Sequence, residues 1–181
     1  MEIVELKDAA PEAETRKKLM IGIIPCLNEL FMRAAWKMIK DDVKKIADAS
    51  MGEYTDYQVY QAIYFGSAHL YLGFVDRSGK VPDDQAQAFV SNKLINGEEK
   101  DLVGFLVARM EPTSVHLWQG FVKPEFSKEN VLEMSIEYIK QRSKETGAPS
   151  LSFSTFRKGW ERISEKLGFV ETYTMYRCSL K

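Results

Sequence analysis

Histidine and cysteine are scarce in this chain, with two of each among 181 residues. Cys26 and Cys178 lie far apart and lack the short spacing of a metal knuckle, so reduced thiols are expected rather than a disulfide or a zinc site. With only His69 and His116, a nucleophilic triad would be short of bases, and a lone histidine is more often a structural hydrogen-bonding residue. Neither a G-x-x-x-x-G-K-[ST] loop nor an H-E-x-x-H pair occurs, so the sequence offers no P-loop and no zinc-peptidase helix. A net charge of −1 and a pI near 6.2 leave no basic excess, so neither nucleic acid nor a membrane surface is an expected partner. No apolar run is long enough to span a bilayer, and the acidic, alternating N-terminus does not read as a signal peptide. A cytoplasmic setting is expected.

What is present is enough for one domain with a real core. Its organising stretch is 115–169, which reads as strand, helix, strand, helix: a parallel βαβ unit. Residues 115–122 are largely apolar at both parities, as a strand covered on both faces requires, and Pro124 stops the ladder. From Asn130 onward Leu132, Ile136 and Ile139 follow helical spacing, and Gly147 supplies the stop, with Lys144 set well for the helix dipole. Leu151, Phe153 and Thr155 form one face of the next strand.

Ahead of that unit, residues 2–6 alternate as a first strand, and a polar stretch containing Pro11 follows at 7–18. Pro25 breaks whatever precedes it. Leu27, Leu30, Phe31, Ala34, Ala35 and Met38 then make an amphipathic helix whose stripe reads as core. Thr55 to Gln58 is a capping-box signal for a helix through Ile63. That helix gathers Tyr57, Tyr60, Gln61 and Tyr64, either as an aromatic wall or as a packing face. Residues 70–75 form a strand that His69 begins. Segment 77–100 is long for a connection and holds a helix around 85–94, which suits a lid or a partner contact. Residues 101–110 are the next strand, and residues 170–180 are the last.

V-x-P-E-F at 122–126, a polar turn, a helix, a strand and a helix ending K-L-G-F at 166–169 resemble the GNAT superfamily of N-acetyltransferases. F-S-T-F-R-K-G-W at 153–160 with T-M-Y-R at 174–177 is similar to GNAT-like proteins of tailed bacteriophages. The resemblance covers roughly the last half of the chain well and the first half in outline. It implies a mixed α/β (α+β) fold: one domain, 1–181, with a mostly antiparallel sheet, a central βαβ unit and flanking helices. Within it, 1–66 supplies the N-terminal strand and helices, 67–122 the central strands with the 77–100 insertion, and 123–181 the βαβ unit and final strand.

The resemblance also implies an acetyl-CoA site. The backbone at Phe121 and Val122 would hold the pantetheine arm. The turn at Ser127, Lys128, Glu129, Asn130, Val131 and Leu132 would cradle the diphosphate with its amides and the helix dipole. This turn departs from the family pattern: Ser127 replaces a basic or amide residue, Asn130 a glycine, and Leu132 a small residue, so that the leucine side chain would crowd the place a diphosphate occupies. Ser164 stands where the family usually has a Tyr acid, Arg157 where it has Asn, and Trp160 where it has Ala. Ser is a far weaker acid than a phenol. Glu111 is the best general-base candidate, or else a solvated turn carboxylate. Arg157 and Trp160 could stack or bind an anion, or simply pack.

Two readings follow, one favoured. The favoured one is a GNAT-fold protein with a degenerate acyl-CoA site and no cofactor. It would serve as a structural or interaction subunit of a phage particle or its assembly, with protein partners or self-association, in the host cytoplasm or the virion. The alternative is an atypical N-acyltransferase moving an acetyl group from acetyl-CoA to an amine. A ligand sensor using the same cleft stands behind both.

Overall fold

The computed structural model describes residues 17–50, 52–128, 130–155 and 164–172. Among them five strands pair in sequence order: β1 (Lys18–Ile24), β2 (Ala68–Asp76), β3 (Leu102–Glu111), β4 (Ser114–Val122) and β5 (Leu151–Phe153). The first three pairings are antiparallel and β4–β5 is parallel. The crossover between those last two strands is α4 (Val131–Glu145), so the βαβ unit stands as read. It ends at Thr146, followed by Gly147 at φ 76°, a backbone that glycine adopts without penalty.

The sheet is covered on both faces. On one lie α1 (Glu29–Ala49), α2 (Asp56–Tyr64) and α3 (Ala86–Ile95), whose Met32, Ile39, Val43, Val59, Ile63, Val90 and Leu94 meet Leu70, Leu72, Phe74 and Val107. On the other, Ile136 and Ile139 of α4 pack on Tyr71, Leu106, Val115 and Leu117. β3 is buried on both sides from Leu102 to Ala108, as expected of a central strand.

Local signals start the helices. Asn28 caps α1 by accepting from the Phe31 amide at 3.2 Å. Thr55 and Gln58 form both halves of a capping box on α2, at 3.2 and 2.8 Å. The Asn28 cap also corrects the expected stripe of α1. Leu27 lies outside the helix at φ 56°, and both it and Leu30 are exposed, so the buried row begins at Met32.

A second correction concerns β1, part of which fell in the stretch read as polar. Its KLMIGII run lacks alternation, and short apolar runs do not reveal their period. Segment 77–100 supplies the cover for this edge strand. Gln87 of α3 accepts from the Ile23 amide and donates to the Ile23 carbonyl, each at 2.9 Å, occupying the groups an edge leaves open. Gly22 admits the helix, since a Cβ there would stand 2.8 Å from the Val90 Cβ. The segment closes on buried Asp101, which binds Lys93 at 2.8 Å and Arg77 at 2.7 Å.

The strands expected at 2–6 and over most of 170–180 lie outside the described residues, as do Glu129, Arg157, Trp160 and Cys178. Among the described residues, no helix is long and apolar enough to cross a membrane, and no three His, Cys, Asp or Glu side chains converge to hold a metal ion.

Candidate functional site

The β3–β4 ladder slips once. Val107 faces Gln119 and Ala108 faces Leu117, leaving Trp118 as the extra residue of a bulge. Before the bulge, Val115 and Leu117 face α4; after it, Phe121 faces α1–α3 and stacks on Phe105 at 5.9 Å. β5 pairs with β4 only at Val115, His116 and Leu117. From the bulge onward, β4 has no strand partner on that side among the described residues.

A polar and aromatic cluster surrounds the bulge. The Arg109 guanidinium lies on the Trp118 ring, 3.1 Å from its centroid, and Tyr54 meets the same ring edge-on at 4.9 Å. Arg109 makes no ion pair among the described residues, and burial pushes its pKa down, with Glu111, Tyr54 and Glu53 pulling the other way. His116 pairs with Arg109 across the ladder, and its Nδ1 lies 3.0 Å from Ser152 Oγ. Burial also lowers the His116 pKa, which favours a neutral imidazole at neutral pH.

Gln119 is 3% exposed, and neither amide atom has a hydrogen-bond partner among the described residues. Tyr54 is near enough for Gln119 to lower the phenol pKa against a larger upward push from burial, yet the approach falls short of hydrogen-bond geometry. A buried amide left this way costs about 1–3 kcal/mol.

At the other end of β4 the chain turns through Pro124–Phe126 into α4. Asn130 caps α4 at φ 53° in the left-handed region, with no side-chain cap bond, so the first-turn amides have no capping acceptor from it. Ser127 donates to the Pro124 carbonyl at 2.8 Å, and Lys128 is exposed. Val131 is buried with Val75, Val103 and Phe126. Leu132 packs with the α4-face core and borders a crevice of about 20 Å³ beside Ile21, Tyr71 and Leu106, so its side chain turns toward the sheet. That crevice has room for about one water molecule and is too small to be a site.

Of the two expected acid–base residues, Glu111 borders the bulge cluster, close enough to Arg109 and His116 to raise the pKa of each against burial. Glu111 is exposed at the end of β3 and accepts from Ser114 Oγ at 3.1 Å. The Ser164 carbonyl accepts from the amides of Leu167 and Phe169. Of the aromatic residues expected on α2, Tyr60 packs on Trp36 and Tyr64, while Tyr57 is exposed. With Arg33, Lys37, Lys40 and Asp56, the rings of Trp36, Tyr57 and Tyr60 line an open groove of about 450 Å³. The bulge cluster of Tyr54, Arg109, His116, Trp118 and Gln119 was not singled out from the sequence. Its signals are His116 and Gln119, polar residues inside an otherwise apolar strand.

This is the fold of the GNAT N-acetyltransferases. A ribosomal-protein-alanine N-acetyltransferase from Brucella melitensis aligns over 90% of this chain and 100% of its own, at 12% identity and TM-score 0.53. An aminoglycoside N-acetyltransferase solved with CoA aligns over 94% and 98%, at 13% identity and TM-score 0.54. An aminoglycoside acetyltransferase from an uncultured soil metagenomic sample, solved with sisomicin, aligns over 90% and 97%, at 11% identity and TM-score 0.56. No family model matches the chain, and no curated protein matches it. The resemblance to phage-encoded proteins finds no support in these comparisons.

Proposed function

We propose that this chain is an acyl-CoA-dependent N-acyltransferase whose donor lies along the free side of β4. The early end of β5 carries this reading, since among the described residues it leaves 118–122 without a strand partner on that side, next to a bulge. An extended thioester arm can add to such an edge through main-chain hydrogen bonds. Further support comes from the neighbour of the same fold solved with CoA. The packing of Leu132 on the sheet side of α4 supports room for a diphosphate at the turn itself. The amides after Asn130, which its side chain does not cap, suit a diphosphate, aided by the helix dipole and Lys128.

Bound there, an acyl-CoA supplies an acyl carbon activated by its thioester. His116 is the best-placed base near the bulge, because burial keeps its imidazole neutral and able to take a proton from an incoming ammonium. The amine nitrogen then bonds to the acyl carbon, the C–S bond breaks, and the proton lost by the nitrogen goes to the departing thiolate. Edge amides of β4 stabilise charge on the acyl oxygen.

A non-catalytic interaction subunit remains the second reading. Exposed Leu27, Leu30 and Phe65 favour it, since the Leu27 amide bonds the Tyr64 carbonyl at 3.0 Å and brings these side chains to one end of the helical layer. Calorimetric titration with acetyl-CoA and desulfo-CoA, followed by thiol-release assays with a panel of amines, separates the two. Micromolar binding with amine-dependent thiol release supports the transferase. Absence of binding, with self-association seen by light scattering, supports the subunit and overturns the transferase.

A further inference from the structure

The bulge cluster holds two polar groups that the fold leaves unanswered. Arg109 is half-buried, stacked on Trp118 and without an ion pair among the described residues. With one guanidinium face covered by the ring, its in-plane N–H donors are what remain to bind, and that planar fork matches a carboxylate. Gln119 is the second group: its buried amide offers two N–H donors and an acceptor oxygen, all without a partner among the described residues. Glu53 and Glu111 lie close enough to Arg109 and His116 to shift both, so negative potential borders the same cluster.

One ligand chemistry answers all of these features. We propose that residues 109, 118 and 119, with Tyr54, form an acceptor site for a small amine that carries a carboxylate, as an amino acid does. Arg109 holds the carboxylate. Gln119 accepts from the amine or donates to the ligand's polar atoms, and Tyr54 and Trp118 wall the site. Glu53 and Glu111 favour the cationic amine end, and His116 stands across the ladder from Arg109 to receive its proton. This assignment rests on the transferase reading, whose donor edge begins at the same bulge.

The test uses the full chain and the twenty amino acids, each beside its α-carboxamide, which keeps the amine and removes the carboxylate charge. Binding is read by thermal shift and Trp fluorescence, first without a donor and then with desulfo-CoA present. At least one amino acid is expected to bind tenfold or more tightly than its carboxamide, and Arg109→Gln is expected to erase that preference. Because Arg109→Gln could fail to fold, the acid-to-amide comparison on the unaltered chain decides alone. Equal binding of acids and carboxamides, or no binding of any of them, overturns the proposal. Donor binding without amino-acid binding sinks this inference and leaves the transferase standing. Amino-acid binding without donor binding supports Arg109 as a carboxylate site but overturns its role as an acceptor site, along with the transferase.

Discussion

Gly104 and Phe121 approach so closely across the β3–β4 ladder that a Cβ on Gly104 would stand 2.1 Å from the Phe121 carbonyl oxygen. The obstacle is backbone, so relief requires moving the very strand whose other side is proposed to hold the donor. Gly104→Ala is expected to cost about 3 kcal/mol, the upper end for overpacking a well-filled site. Urea denaturation measures this, and an unchanged midpoint would show that β4 yields easily.

Asp101 ties segment 77–100 to the sheet. Burial alone would raise its pKa, but hydrogen bonds and charge from Lys93 and Arg77 outweigh that and hold it below the ordinary carboxylate value. Asp76, bonded by Ser78 and the Val81 amide, is likewise held low against its own burial. A depressed carboxylate stabilises the fold at pH above the unfolded value, near 3.9, and that contribution is lost as pH falls through the lower folded value. Urea midpoints are therefore expected to fall between about pH 5 and pH 2. Asp101→Ala should flatten part of this decline and cost about 3 kcal/mol at neutral pH, because it strips a partner from half-buried Lys93.

Activity should depend on neutral His116. Its folded pKa lies below the ordinary 6.5, so the base form persists to lower pH than a free imidazole would allow. The acid limb of kcat/KM is expected below that value, and His116→Gln should remove the limb and lower kcat about 100-fold or more. An unaltered limb in the variant would assign the proton to another group.

Asn130 and Leu132 should respond in opposite ways. Asn130→Gly relieves a left-handed residue and is expected to keep or tighten CoA binding, whereas Asn130→Val should cost about 1–2 kcal/mol and weaken it. Leu132→Ala should cost about 2 kcal/mol of stability with no gain in CoA affinity, because its side chain fills the sheet side of α4. Tighter binding by Leu132→Ala would show that the side chain does obstruct the donor.

Much of the fold was legible because its signals are local. Thr55 and Gln58 announce α2, Gly147 ends α4, and Pro124 ends β4. β1 was not legible, since its apolar run has no period and its cover comes from Gln87, 64 residues away from Ile23 in sequence. The candidate site was half legible. Phe121 and the turn before α4 enter the proposed site through the family resemblance alone, whereas Arg109 meets Trp118 only through a register slip. A bulge is invisible in sequence, because it depends on which partner residue is skipped. The inward turn of Leu132 was equally hidden, since residue size says nothing about which side of a helix is open.

Backbone amide NMR of the full chain with desulfo-CoA tests the central claim most directly. Shifts concentrated at residues 119–122 of β4 and at 130–133 of α4, with a dissociation constant of micromolar order, are the expected result. An unchanged spectrum at about 1 mM ligand, equivalent to binding weaker than about −4 kcal/mol, would contradict it. So would shifts confined to the groove around Trp36 and Tyr57.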